Sequence, residues 1–244
     1  MNANLSILQA PMNSPVTQKA ILPNASPMVQ AQRTWNLTDF AQEQIGGLVR
    51  RVFLAQVVQP PCQVVFSAVD SAMDTASICR RTGQTLAAEG AGKVCVVEAE
   101  LRSRALEASC GRICTGGRGS SETAGAMQKS SHQISPNLWL VPGAVFLGPP
   151  ENAHSALWLR GRLEQLRREF DYAVIHGGAV ATCSATALLA HLADGLVLGI
   201  EAQRTRRIAA RRVKDLLESV NVRLLGVVLS ERQFPIPEGL YRKL

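Results

Sequence analysis

A few short segments of this chain carry side chains whose types and spacing could do chemistry. Thr75 stands at the expected start of a helix, where its hydroxyl reads as an N-terminal cap that needs no ligand. His176-Gly177-Gly178 closes an apolar run further on. The imidazole could act as a general base or metal ligand, or lie half-buried at a strand end with no chemical task. The two glycines could present backbone N–H groups to an anion, or serve a tight strand-to-helix turn. Cys110 and Cys114 flank three residues, with His132 beyond them, but zinc motifs carry a second close pair that is missing here. Cys62, Cys79, Cys95 and Cys183 lie in or beside apolar runs and read as core residues. The stretch from Arg204 to Lys214 is the most distinctive surface feature. On a helix, Ile208, Leu216 and Val220 would face the sheet, while Arg204, Arg207, Arg211 and Lys214 form a stripe. Such a stripe could meet DNA backbone or anionic lipid headgroups, or simply remain a solvated face.

The charge balance permits an anionic partner without requiring one. The 244 residues hold 26 Lys+Arg against 19 Asp+Glu, a formal net charge of +7. Aromatics make up 5%, which argues against stacking platforms for single strands, while 46% hydrophobic residues exclude a wholly disordered chain. Six scattered cysteines, in a chain too long to need disulfide staples, point to a reduced, cytoplasmic setting. The longest apolar stretch, Ala179 to Ile200, is interrupted by Thr182, Ser184, His191 and Asp194. A spanning helix needs roughly 20 apolar residues. The first residues lack the basic and apolar regions of a secretory signal, so membrane association is expected only through a partner or a surface patch.

These residues need a scaffold, and the rest of the sequence specifies one. Residues 1–33, with Pro11, Pro15, Pro23 and Pro27 among many Asn, Gln and Ser, read as a disordered tail. Residues 34–244 read as a single domain. From Asn36, the apolar residues Ala41, Ile45, Leu48 and Val52 share one helical face, weakened by Gly46 and Gly47, until Pro60 and Pro61 end it. Strands are predicted at Gln63–Ala68, Lys93–Glu98, Leu138–Val141, Tyr172–His176, Gly195–Ile200 and Leu224–Leu229. Helices are predicted from the end of the first strand's loop to about Ala88, and at Ala153–Phe170, Thr182–Leu192 and Arg204–Val220. Near-continuous apolar strands alternating with helices predict an α/β fold, a doubly wound and mostly parallel sheet with helices on both faces. Ligands in such sheets sit at the carboxyl ends of the strands. Residues 109–135, rich in Gly and Ser, read as a mobile loop or insertion.

The strand ends resemble those of the bacterial tyrosine kinases of capsule and exopolysaccharide synthesis, which belong to the deviant Walker P-loop ATPases. The resemblance covers roughly Thr34 to the C-terminus. It rests on VVFSAVDSAMDT, VCVVEAELRSRAL, FDYAVIHGGA, and LADGLVLGIEAQRTRR followed by LLGVVLSER. The family's counterparts are a phosphate loop SAxPGEGKS/T, an acidic motif LLVDADLRRPxL and a third motif YDYVIIDTPP. The resemblance implies a P-loop fold and places a nucleotide site at Asp70, Ser71, Ala72, Met73, Asp74, Thr75, Glu98, Glu100 and His176.

The spacing matches the family but the chemistry departs from it. A phosphate loop needs glycines whose N–H groups wrap phosphate oxygens, a Lys to neutralise them, and a Ser/Thr to hold magnesium. Asp70 to Thr75 occupy the PGEGKS/T positions: both glycines are replaced, Asp74 stands in the lysine position, and only Thr75 survives. Losing one charge-assisted contact costs about 1.5–3 kcal/mol, and a carboxylate adds repulsion. Glu98 and Glu100 keep the charge of the second motif's aspartates, but an extra methylene displaces the carboxylates, and misplacement by about 1 Å can cost about 100-fold. His176 replaces the magnesium-contacting Asp, and magnesium prefers hard oxygen ligands. Of the family's subunit-pairing motif, the positions Gln44, Gly47 and Arg50 keep only Arg50, and Tyr241 alone stands for its terminal tyrosine cluster. A homo-oligomer of the family's kind is thus in question.

The expectation is a catalytically degenerate relative of these kinases, without a cofactor. It would regulate or scaffold exopolysaccharide export by docking to a membrane polysaccharide co-polymerase or an active tyrosine kinase at the inner membrane. The alternatives are a divergent ATPase or tyrosine kinase binding ATP and Mg2+ weakly through Thr75, Glu98, Arg80 or Arg81, and a binder of nucleic acid or anionic membrane through the Arg204–Lys214 helix.

Overall fold

Six of the strands are the apolar runs themselves. The computed structural model describes residues 37–55, 60–71, 73–99, 126–149 and 155–231. The chain enters through helix α1 (Leu37–Val49), which passes into a π-helical turn, Arg50–Leu54. Then come β1 (Gln63–Ala68), α2 (Thr75–Ala88) and β2 (Val94–Ala99). A helical turn α3 (Ala126–Lys129) leads into β3 (His132–Ser135), β4 (Leu138–Val141) and a short helix α4 (Gly143–Leu147). Helix α5 (Ala156–Glu169), β5 (Tyr172–Gly177), α6 (Ser184–Leu192), β6 (Gly195–Glu201), α7 (Arg207–Ser219) and β7 (Leu224–Ser230) complete the order.

The seven strands lie in the order β3-β4-β2-β5-β1-β6-β7, parallel throughout except for β3 against β4. This is a doubly wound, mostly parallel α/β sheet with helices on both faces. Strand alternation sends Val64, Phe66, Val96, Val174 and Val197 to one face, where they pack with Phe53 of the π-turn and Cys79 and Leu86 of α2. Val65, Val97, Ile175 and Leu198 go to the other, against Leu159 and Leu163 of α5, Leu189 of α6, and Val213 and Leu217 of α7. Burial on both faces is why every residue of β1 is buried and why its sequence is a continuous run. Ile45, Leu48 and Val52 do share the face that packs on α2 and the sheet. Cys79, Cys95 and Cys183 are buried free thiols, and Cys62 is half-buried.

Polar ties set the strand register. Asp194, just before β6, accepts hydrogen bonds from the backbone N–H groups of Cys62 (2.7 Å) and Gln63 (2.8 Å) at the start of β1, and pairs with Arg167 of α5 at 2.7 Å. Buried Gln63 in turn donates from Nε2 to the Leu163 carbonyl at 2.7 Å.

Two expectations need correction. Residues 126–135, assigned to a loop, contain α3 and the edge strand β3, whose exposed His132, Gln133 and Ile134 hide the apolar alternation that marks a strand. On α7, Val213 and Leu217 are the buried residues, whereas Ile208, Leu216 and Val220 are exposed. Ala209 and Ala210 complete the buried side, and small residues there let the helix sit close to the sheet. The 1–33 tail, residues 109–125, Ala72 and Glu100 lie outside the described residues.

Candidate functional site

The carboxyl ends of β1, β2, β5 and β6 bring the sequence-selected residues together. In-register pairing places Phe66 of β1 and Glu98 of β2 on either side of His176 of β5. The three therefore project to one face of the sheet, the face covered by α2. The loop leaving β1 is stitched on two sides. Val69 donates to the Gly199 carbonyl at 3.1 Å, while Val180 and Ala181, after β5, donate to the carbonyls of Ala68 (3.0 Å) and Val69 (3.2 Å). The buried Ser67 hydroxyl donates to the Gly178 carbonyl at 2.5 Å.

Asp74 is the N-cap of α2, a role expected of Thr75. Its carboxylate accepts from the Ser77 N–H at 3.1 Å, satisfying one of the first-turn donors that no helical carbonyl can reach. That bond is the main reason the Asp74 carboxyl is held below its ordinary value, with lesser help from the charges of Arg80 and His176. Thr75 is instead the first helical residue. It is buried, and its hydroxyl lies 3.2 Å from Nε2 of the half-buried His176. Met73 is buried beneath the loop: a Cβ built on Gly199 would come within 2.5 Å of its sulfur, so the bare backbone of Gly199 is what makes room for it. Ser71 is an exposed turn residue, and Glu98 is the one exposed position of β2.

Gly177 and Gly178 do not open a helix, because α6 begins only at Ser184. Gly177 sits in a tight place: a Cβ there would lie 3.0 Å from the Thr186 methyl and 3.1 Å from a Val65 methyl, so those side chains would have to give way. Neither glycine has the positive φ of a left-handed turn.

Sequence reasoning missed a second polar cluster at the same sheet edge. The Asp70 carboxylate accepts from the Thr205 hydroxyl at 3.2 Å, and that hydroxyl accepts from the Glu201 N–H at 3.1 Å. Glu201 is buried; one carboxylate oxygen pairs with Arg204 at 3.0 Å and the other has no partner among the described residues. The hydrogen bond and charge of Glu201 push the Arg204 guanidinium above its usual range. The signal was available, since Glu201 ends an apolar run and Thr205 follows at the four-residue spacing of a turn. The cluster also changes the basic stripe. Arg204 is committed to Glu201 and Lys214 pairs with Glu218 at 2.9 Å, which leaves Arg207 and Arg211 as the stripe's cations without a described ion pair. Arg50, which opens the π-helical turn after α1, pairs at 3.4 Å with Glu89, the residue that caps the end of α2.

Four carboxylates, Asp70, Asp74, Glu98 and Glu201, therefore surround this edge, and residues 70–75 contribute no cation. No group of His, Cys, Asp and Glu able to hold a metal occurs among the described residues. Among those residues, no helix is long and apolar enough to cross a membrane.

No protein-family model matches the chain, and no curated protein matches it. Solved structures do. The chimerical protein CapA2B2 aligns with a TM-score of 0.61 at 16% identity, covering 82% of this chain and 87% of that one. The BceF tyrosine kinase domain gives 0.59 at 15% identity over 78% of this chain and 76% of its own. The kinase domain of the Escherichia coli tyrosine kinase Etk gives 0.59 at 13% identity, over 82% and 80%. The chain has the fold of bacterial tyrosine kinase domains.

Proposed function

We propose that this chain is a catalytically degenerate relative of the bacterial tyrosine kinases, acting through protein–protein contacts to regulate or scaffold exopolysaccharide synthesis and export. Asp74 carries this reading. The position that holds a phosphate-neutralising lysine in the family holds an anion here, and that anion is spent on capping α2. Three further observations support it. Met73 fills the space under the loop, the Thr75 hydroxyl is engaged by His176, and the nearby carboxylates oppose a polyphosphate. A magnesium nucleotide does not fit this donor set, because a hard cation gains little from the His176 nitrogen and phosphate meets no loop cation. No reaction step is assigned to the site. The partners are a membrane polysaccharide co-polymerase or an active tyrosine kinase of the same pathway, which would place the protein peripherally at the inner membrane.

The test is calorimetric titration of the full chain with ATP and ADP, with and without magnesium. No heat at millimolar nucleotide is the expected result. Micromolar binding abolished by Thr75→Ala or Glu98→Ala would overturn the proposal and establish a divergent nucleotide site instead. The scaffolding role is tested separately, by pull-down against purified polysaccharide co-polymerase and tyrosine kinase, where recovery of neither removes it.

A further inference from the structure

The first half of α7 is basic in a way that does not serve the helix. Residues 202–214 contain Arg204, Arg206, Arg207, Arg211, Arg212 and Lys214, and no acidic side chain. Arg204 and Lys214 are engaged, by Glu201 and Glu218. The other four are exposed and make no ion pair among the described residues. A helix N-terminus carries a partial positive charge and is stabilised by acidic neighbours. Here Arg206 stands at the N-cap without a side-chain cap bond, and Arg207 follows in a first turn that holds no acidic residue. Arg207 and Arg211 are also a like-charge pair at four-residue spacing, which weakens a helix further. Side chains that work against their own helix point to an anion outside it. Ile208 adds an apolar element to that face. α7 turns Ala209, Ala210, Val213 and Leu217 to the sheet. At about 100° per residue, Ile208 then lies on the outer side between Arg211 and Arg212, where it is 67% exposed.

We propose that this face of α7 rests on an anionic phospholipid surface, with its arginines at the headgroup phosphates and Ile208 in the apolar boundary beneath them. Charge complementarity calls for a surface dense in phosphate, since four unpaired guanidinium groups lie within two turns of helix. A nucleic-acid backbone would meet the arginines equally well, but it gives a lone isoleucine nothing to enter. The interface of a bilayer takes both at once. Asp215 and Glu218, further along α7, confine the footprint to the first two turns. The contact needs no partner protein, so it goes beyond the scaffolding role and stands or falls separately from it.

Flotation of the full chain with protein-free vesicles tests this. Binding is expected to vesicles of equal parts phosphatidylglycerol and phosphatidylcholine, with release as salt rises, and not to phosphatidylcholine alone. An arginine near such a surface contributes about fivefold, so Arg207→Gln/Arg211→Gln should weaken partitioning by about 25-fold. Circular dichroism should be unchanged and the thermal midpoint no lower, because the exchange removes a like-charge pair. Ile208→Ser should weaken vesicle binding several-fold while its salt dependence stays that of the wild type. Absence of binding to the anionic vesicles would overturn the proposal, as would binding that survives loss of both arginines. Ile208→Ser binding as tightly as the wild type, with duplex DNA displacing the vesicles, would assign the stripe to nucleic acid and overturn it equally.

Discussion

Asp74 shows how the type of one residue decides what a helix terminus does. A lysine there would serve a bound anion; an aspartate serves the helix itself, by accepting from Ser77 N–H. Asp74→Ala should destabilise the fold by about 1 kcal/mol at neutral pH, whereas Asp74→Asn, which keeps a capping oxygen, should cost only a few tenths. The capped carboxyl titrates below its ordinary value of 3.8 in the folded protein. Its contribution is therefore complete above that value and lost as pH falls through the folded one. Urea unfolding at pH 7 and at successively lower pH below 3.8 should show the wild type progressively losing this increment while Asp74→Asn does not; parallel curves would mean the cap bond is absent in solution. That residues 70–75 hold two carboxylates and no cation was legible from residue types alone. The cap was not, because the choice between Asp74 and Thr75 depends on where the first helical turn closes, a matter of one residue that propensity does not fix.

At the scale of elements, the inner strands β1, β2, β5 and β6 were legible because a sheet covered on both faces demands nearly uninterrupted apolar residues. β3 and α4 escaped because four or five residues carry too little periodicity to register. The orientation of α7 was missed for a related reason. Apolar residues lie on more than one side of that helix, and the alanines at 209 and 210, which sit near the sheet, carry no strong hydrophobic signal. Asp194 interrupts an apolar stretch in the sequence, and in the fold it joins three elements. Its carboxylate takes two N–H groups at the head of β1 and the Arg167 guanidinium of α5. Asp194→Ala would leave those two donors to compete for water at a half-buried site, which should cost about 2–3 kcal/mol. Denaturant midpoints with an unchanged m-value would confirm a purely energetic loss. A change below a few tenths would mean water replaces the carboxylate at no penalty.

Across the whole molecule, the sheet separates two apolar layers that share its strands, and whether they unfold together is a property of neither alone. Each layer holds a buried thiol: Cys79 on α2 in the layer with α1, and Cys95 on β2 in the layer with α5, α6 and α7. Burial pushes both thiols well above the usual range, so neither presents a thiolate to an alkylating agent at pH 8 while the fold is closed. Labelling then reports opening of the layer that contains the thiol. Because β1, β2, β5 and β6 contribute side chains to both layers, exposing one face removes half the burial that holds those strands. Pulse alkylation read by mass spectrometry across a urea series should therefore show Cys79 and Cys95 becoming reactive at one midpoint, coincident with the loss of circular dichroism. Reaction of Cys79 at lower urea than Cys95 would mean that the α1–α2 layer, with its engaged Asp74 cap, opens as a separate unit while the rest of the sheet holds.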